Sequence, residues 1–72
     1  MDHSNQDVSS KLQSQREFMS ESLFDRVTVY LQAAPSQTEL NELFHLLKKY
    51  DLVSREEQED RNRSIIQLLS RP

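Results

Sequence analysis

Glycine is absent from all 72 residues, and so are cysteine and tryptophan. Glycine supplies the positive-φ positions of tight hairpin turns, phosphate-cradling loops and many helix C-caps. Its absence removes the glycine-dependent nucleotide fingerprints and disfavours β-hairpins and glycine-hinged lids. The lack of cysteine excludes disulfides, thiolate zinc sites and iron–sulfur clusters. Basic charge is not in excess either: 9 Lys and Arg face 12 Asp and Glu, a net charge of −3. Affinity for nucleic acid comes largely from neutralised phosphates, so this balance disfavours such a partner. Apolar runs of about 18 residues, the length a membrane span needs, are missing. The stretch from Met1 to Ser10 is polar, without a hydrophobic signal core, and a cytoplasmic protein is expected.

What is there is helical. The length allows one small domain. A chain this short buries roughly 60% of its unfolded surface. Small scaffolds make up the deficit with disulfides, metal or self-association, and the composition leaves the last. A homodimer or an obligate protein partner is therefore expected.

Residues 1–9 carry one isolated apolar residue after the first and read as a disordered N-terminal arm, with a single domain over 10–72. Three serine–glutamate pairs fit the capping box: Ser14/Glu17, Ser36/Glu39 and Ser54/Glu57. Ser10/Gln13 offers an alternative first start. Periodicity predicts a first helix over Lys11 to Ala33, with Leu12, Met19, Leu23, Phe24, Val27, Tyr30 and Leu31 on one broad stripe. Pro35 ends it. A second helix is predicted from Gln37 to Asp51, striped by Leu40, Leu43, Phe44, Leu46, Leu47 and Tyr50. A third follows Ser54 to about Ser70, with Ile65, Ile66, Leu68 and Leu69 in its C-terminal half. Short connections favour antiparallel neighbours. The fold class is all-α: an antiparallel helical hairpin plus a third helix, forming a small three-helix bundle or swapping into a partner. Leu23, Phe24, Val27, Leu31, Leu40, Leu43, Phe44 and Leu47 are the expected core.

Candidate site residues are few. His45 projects opposite the second helix's apolar stripe, and His45-Leu46-Leu47-Lys48 resembles the H-x-L-K core of histidine phosphotransfer domains. That resemblance would make His45 a phosphate acceptor. Lys49 stands where those domains place glycine, and a solvated surface histidine is the plainer expectation. In Arg55–Arg63, Glu57→Arg61 and Glu59→Arg63 are i,i+4 pairs in the favourable orientation. Gln58, Arg61 and Asn62 share a face with Ile65 and Leu69, and an inward face that turns polar halfway suggests an interface. Arg61, Ile65 and Ile66 are partner-contact candidates, arginine being enriched at binding hot spots. Phe18 and Val29 lie together on the far side of the first helix and suggest a second contact surface. His3 and His45 have no evident orienting carboxylate and no metal-ligand spacing, so no catalytic residue, cofactor or metal is implied.

From Ser22 to Leu69 the chain resembles the small biofilm- and acid-resistance two-component connector proteins of enteric bacteria, the Ari/Ymg/Ycg type. The residues are Leu23-x-x-x-Val27-Thr28-x-x-Leu31, then Leu46-Leu47, Glu56-Glu57-Gln58 and Ile65-Ile66-x-Leu68-Leu69. The resemblance implies an all-α dimeric regulator that contacts a two-component or transcription protein. Pro35-Ser36 with Leu47-x-x-Tyr50 is similar, more loosely, to helical hairpins and co-chaperones of secretion needles. The capping box at Ser54 interrupts the long second helix those proteins have. A weak nucleic-acid binder would need Lys48, Lys49, Arg55, Arg61 and Arg63 to converge. The expectation is a non-enzymatic regulatory protein that acts by contact with itself and a protein target.

Overall fold

The computed structural model describes residues 2–71. Four α-helices follow one another: α1 (Asn5–Ser14), α2 (Glu21–Gln32), α3 (Gln37–Leu47) and α4 (Arg55–Leu69), with 3-10 turns at Arg16–Phe18 and Tyr50–Leu52. Among the described residues no strand occurs.

The three-helix expectation fails in its first element. A single helix from Lys11 to Ala33 would be about 35 Å long, longer than the 29 Å maximum extent of the molecule. The chain instead breaks between Gln15 and Ser20, so that Val8 and Leu12 fold back and are fully buried with Leu23, Val27 and Leu31. The expected arm over 1–9 is corrected with it. Ser4 caps α1, accepting from the Asp7 N–H at 3.0 Å while Asp7 accepts from the Ser4 N–H at 3.2 Å. Met1 lies outside the described residues.

Capping bears out the starts after Ser36 and Ser54 and shows why the first was misplaced. Ser36/Glu39 forms the reciprocal box, at 3.2 and 2.9 Å. Ser54 accepts from the Glu57 N–H at 3.1 Å, but the Glu57 carboxylate turns to Arg61 instead. Ser14 caps nothing: it is the last residue of α1 and its hydroxyl donates back to the Lys11 carbonyl at 2.7 Å. Ser10 is interior to α1. The actual start of α2 is Ser20, which accepts from Leu23 N–H at 3.2 Å with no acid three residues on.

The helices close a ring. α1 packs on α2 and α3, and α4 packs on the same two. The expected hairpin of consecutive long helices is thus replaced by pairings that run through α1 and α4. Asn5 of α1 donates to the Leu31 carbonyl near the end of α2 at 2.8 Å, and Arg71 beyond α4 reaches Glu42 of α3 at 3.1 Å. The core is Val8, Leu12, Met19, Leu23, Phe24, Val27, Leu31, Leu40, Leu43, Leu47, Tyr50, Ile65 and Leu68. Phe44, expected in it, is only half-buried at its edge.

Without glycine the chain still needs left-handed backbone. Ala34 has φ 55° after α2, and Lys49 has φ 57° after α3. A Cβ in that region costs about 1–2 kcal/mol, partly offset by a more restricted unfolded chain. Ala34→Gly is therefore expected to stabilise the fold by up to about 1 kcal/mol, raising Tm by a few degrees. Thermal unfolding followed by circular dichroism measures it, and an unchanged or lower Tm contradicts the strain at this position.

Candidate contact surfaces

The polar half of α4 is the first place where the site expectations change. Gln58, Arg61 and Asn62 do face inward, yet each is used by the chain itself. The Gln58 amide donates to the Tyr50 carbonyl at 2.9 Å, and the buried Tyr50 hydroxyl donates to Asn62 Oδ1 at 2.6 Å. Arg61 Nη1 donates to the carbonyls of Leu46 at 3.3 Å and Lys48 at 2.6 Å, while its Nε meets Glu57 at 3.1 Å. These carbonyls belong to the last turn and C-cap of α3, which have no partner within the helix. A cation there also opposes the negative end of the helix dipole. Arg61 is thus the C-terminal clamp of α3 and not a free contact residue. This explains why α3 stops at Leu47 and does not reach Asp51. Ile65, one turn on from Arg61 and fully buried, belongs to the core and leaves the surface set as well. Glu59 and Arg63 do not pair with each other: Glu59 meets Arg55 at 3.8 Å and Arg63 meets Asp60.

Phe18 and Val29 do not lie on one helix: the break at Gln15–Ser20 ends the common periodicity and leaves Phe18 in the 3-10 turn and Val29 on α2. Phe18, 47% exposed, sits in the 3-10 turn that follows Gln15. Gln15 is itself buried and bonds Asp51 twice, its amide donating to Asp51 Oδ1 at 3.1 Å and its carbonyl accepting from the Asp51 N–H at 3.0 Å. That double bond staples the two 3-10 turns together. Beside it stands Leu52, 74% exposed. Sequence reading missed Leu52 because it fell in a linker. A leucine stranded in a polar break was the available signal.

Val29, 65% exposed, lines a groove of about 370 Å³ between α2 and α4 with Asp25, Arg26, Tyr30 and Leu69. Ile66, 40% exposed, lies one turn before Leu69 on α4. Of the expected contact residues, Val29 lines this groove, Ile66 stays exposed on α4, and Phe18 sits in the 3-10 turn after α1.

His45 is exposed on α3, as expected from its position opposite the stripe. It shares a shallow hollow of about 390 Å³ with His3, Asn41, Phe44 and Lys48. The His3 ring stacks on Phe44 with centroids 3.6 Å apart, and the Lys11 ammonium lies 5.5 Å from the same ring. The His3 N–H donates to Asn41 Oδ1 at 2.9 Å, and Gln37 donates to the His3 carbonyl at 2.7 Å. These bonds moor the segment before α1 on α3 and account for the hollow structurally. Among the described residues no group of three or more His, Cys, Asp or Glu side chains could hold a metal ion. No helix among them is long and apolar enough to cross a membrane.

One titratable pair joins α2 to α3. The Tyr30 hydroxyl donates to Glu39 at 2.7 Å. Burial, together with this bond, pushes the Tyr30 phenol up from 10.0 to about 12. The Ser36 backbone N–H, then the Tyr30 and Ser36 hydroxyl groups, hold Glu39 below its ordinary 4.5. The raised phenol contributes stability that is complete below pH 10 and lost as pH rises towards about 12. The depressed carboxyl contributes stability that is present above pH 4.5 and lost as pH falls below it. Carbon NMR titration of the tyrosine rings should give Tyr30 a midpoint near 12, moving back towards 10 in Glu39→Gln. A Tyr30 midpoint indifferent to that substitution contradicts the coupling.

Comparison with family models, curated proteins and solved structures gives no match.

Proposed function

We propose that this chain is a small, non-catalytic, cytoplasmic regulatory protein that works by contact. In this reading it acts as a homodimer that occupies the surface of a signalling or transcription component, in the manner of a biofilm or stress-response connector. One observation carries it. Leu52, Val29, Phe18 and Ile66 remain on the surface of a chain whose buried side-chain polar atoms are all hydrogen-bonded among the described residues. The core thus closes without these four side chains. Val29 lines the α2–α4 groove and Ile66 is on α4, whereas Phe18 and Leu52 sit in the two 3-10 turns beside the residues that the Gln15–Asp51 bonds join, and we read these as two faces. Two faces suit a protein that meets its own copy with one and a target with the other. His45 lines two shallow hollows, one with His3, Asn41, Phe44 and Lys48 and one with Leu46, Glu57, Asp60, Arg61 and Ser64, and this reading gives it no catalytic role.

Site-specific photo-crosslinking in the producing cell tests the proposal. A crosslinker at Val29 is expected to give a two-chain adduct, and one at Leu52 or Phe18 an adduct with a different, heavier protein. The exposed polar position Gln13 is the control. Adducts no more abundant at the apolar positions than at Gln13 contradict a contact function.

A further inference from the structure

The α2–α4 groove holds a feature that separates its occupant from a general apolar partner. Its centre is Val29, Tyr30 and Leu69, and its rim carries one acid and one base, Asp25 and Arg26. Among the described residues neither charge makes an ion pair or a side-chain hydrogen bond. They are neighbours in sequence and point apart on the helix, so they do not satisfy each other. Around them the chain as a whole carries −3, whereas this rim sums to zero.

We infer that the groove binds a second copy of this chain across a twofold axis, with Asp25 of each copy meeting Arg26 of its mate around the shared apolar centre. This rests on the contact reading above and names the partner for one of its two faces. A twofold contact presents the same patch from both sides, so a patch must complement itself. An apolar centre always does. A rim of one sign does not, since like charges would confront each other. A rim with one acid and one base does, and it also lets two net-negative chains approach where the local charge vanishes. A standard interface removes about 800 Å² per partner, whereas the whole chain exposes 4864 Å². An interface centred on one groove between two short helices belongs with the smaller, dissociable contacts.

Charge exchange tests this without touching the core, because both rim residues are exposed. Asp25→Arg makes the rim wholly basic and Arg26→Asp makes it wholly acidic. Each variant alone is expected to weaken the dimer about tenfold or more in sedimentation velocity, through like-charge confrontation. An equimolar mixture of the two should recover a two-chain species, because the heterodimer pairs a basic rim with an acidic one. A change that merely damaged the fold would show no recovery on mixing. Circular dichroism of each variant checks that the helices are intact. Val29→Asp is expected to abolish dimerisation, and Leu52→Asp to leave it unchanged. If the native chain dimerises but neither charge variant weakens it, or mixing restores nothing, the inference is overturned while a dimeric contact protein stands. If Leu52→Asp is the substitution that dissociates the dimer, the self-contact lies at the other face and the inference is again overturned. A native chain that stays single at high concentration overturns both.

Discussion

Val8→Asp is expected to unfold the protein. Val8 is fully buried, one turn from the equally buried Leu12, between α2 and α3. A carboxylate forced into that apolar position must either stay charged away from water or take up a proton, at a cost of several kcal/mol. A domain of this length has a total stability of roughly 4–11 kcal/mol, at about 0.05–0.15 kcal/mol per residue. The substitution therefore consumes most or all of it. Gln6→Asp, two residues away and exposed, is expected to change stability by no more than about 0.5 kcal/mol. Urea titration of the two variants separates them. A Val8→Asp protein with near-native stability would mean that α1 is not part of the cooperative fold.

The second large effect belongs to Arg61. Its guanidinium donates to two carbonyls at the end of α3 and pairs with Glu57, with its side chain 19% exposed. Hydrogen bonds to a charged group contribute about 1.5–3 kcal/mol, and the carbonyls it covers would need new partners. Arg61→Ala should cost about 2–3 kcal/mol. Arg61→Lys should recover only part of it, since an ammonium cannot span the fork that the guanidinium makes. Arg63→Ala is the comparison: its pair with Asp60 lies in solvent, and such pairs contribute roughly 0–1 kcal/mol. Equal losses at the two positions would contradict the clamp and return Arg61 to the surface set.

How far the sequence discloses this molecule depends on the kind of signal. Helix content and most of the core follow from periodicity: Leu23, Phe24, Val27 and Leu31 on α2, and Leu40, Leu43 and Leu47 on α3, are buried as their spacing implies. The break after Gln15 is not visible that way, because Leu12, Met19 and Leu23 keep helical spacing across it. Only the tertiary gain of folding α1 back decides it. The cap at Ser4 escaped because its reciprocal partner is Asp7 in place of the glutamate of the usual box. Positive φ at Ala34 and Lys49 was unreadable from composition, since neither residue prefers it. The polar face of α4 was read with the right direction and the wrong partner. Gln58, Arg61 and Asn62 point inward, and what they meet is the 46–50 turn of the same chain. Helical spacing pairs Val29 with Phe18, but its meeting with Leu69 in one groove depends on α2 packing against α4, which no local pattern encodes.

The most direct measurement of the central proposal is the solution mass of the unmodified 8.5 kDa chain by light scattering over a concentration range spanning the micromolar. A mass of two chains at the upper end, falling towards one on dilution, is the expected result. A single chain at every concentration, or an open ladder of larger species, would contradict a regulator that meets its own copy through one closed face.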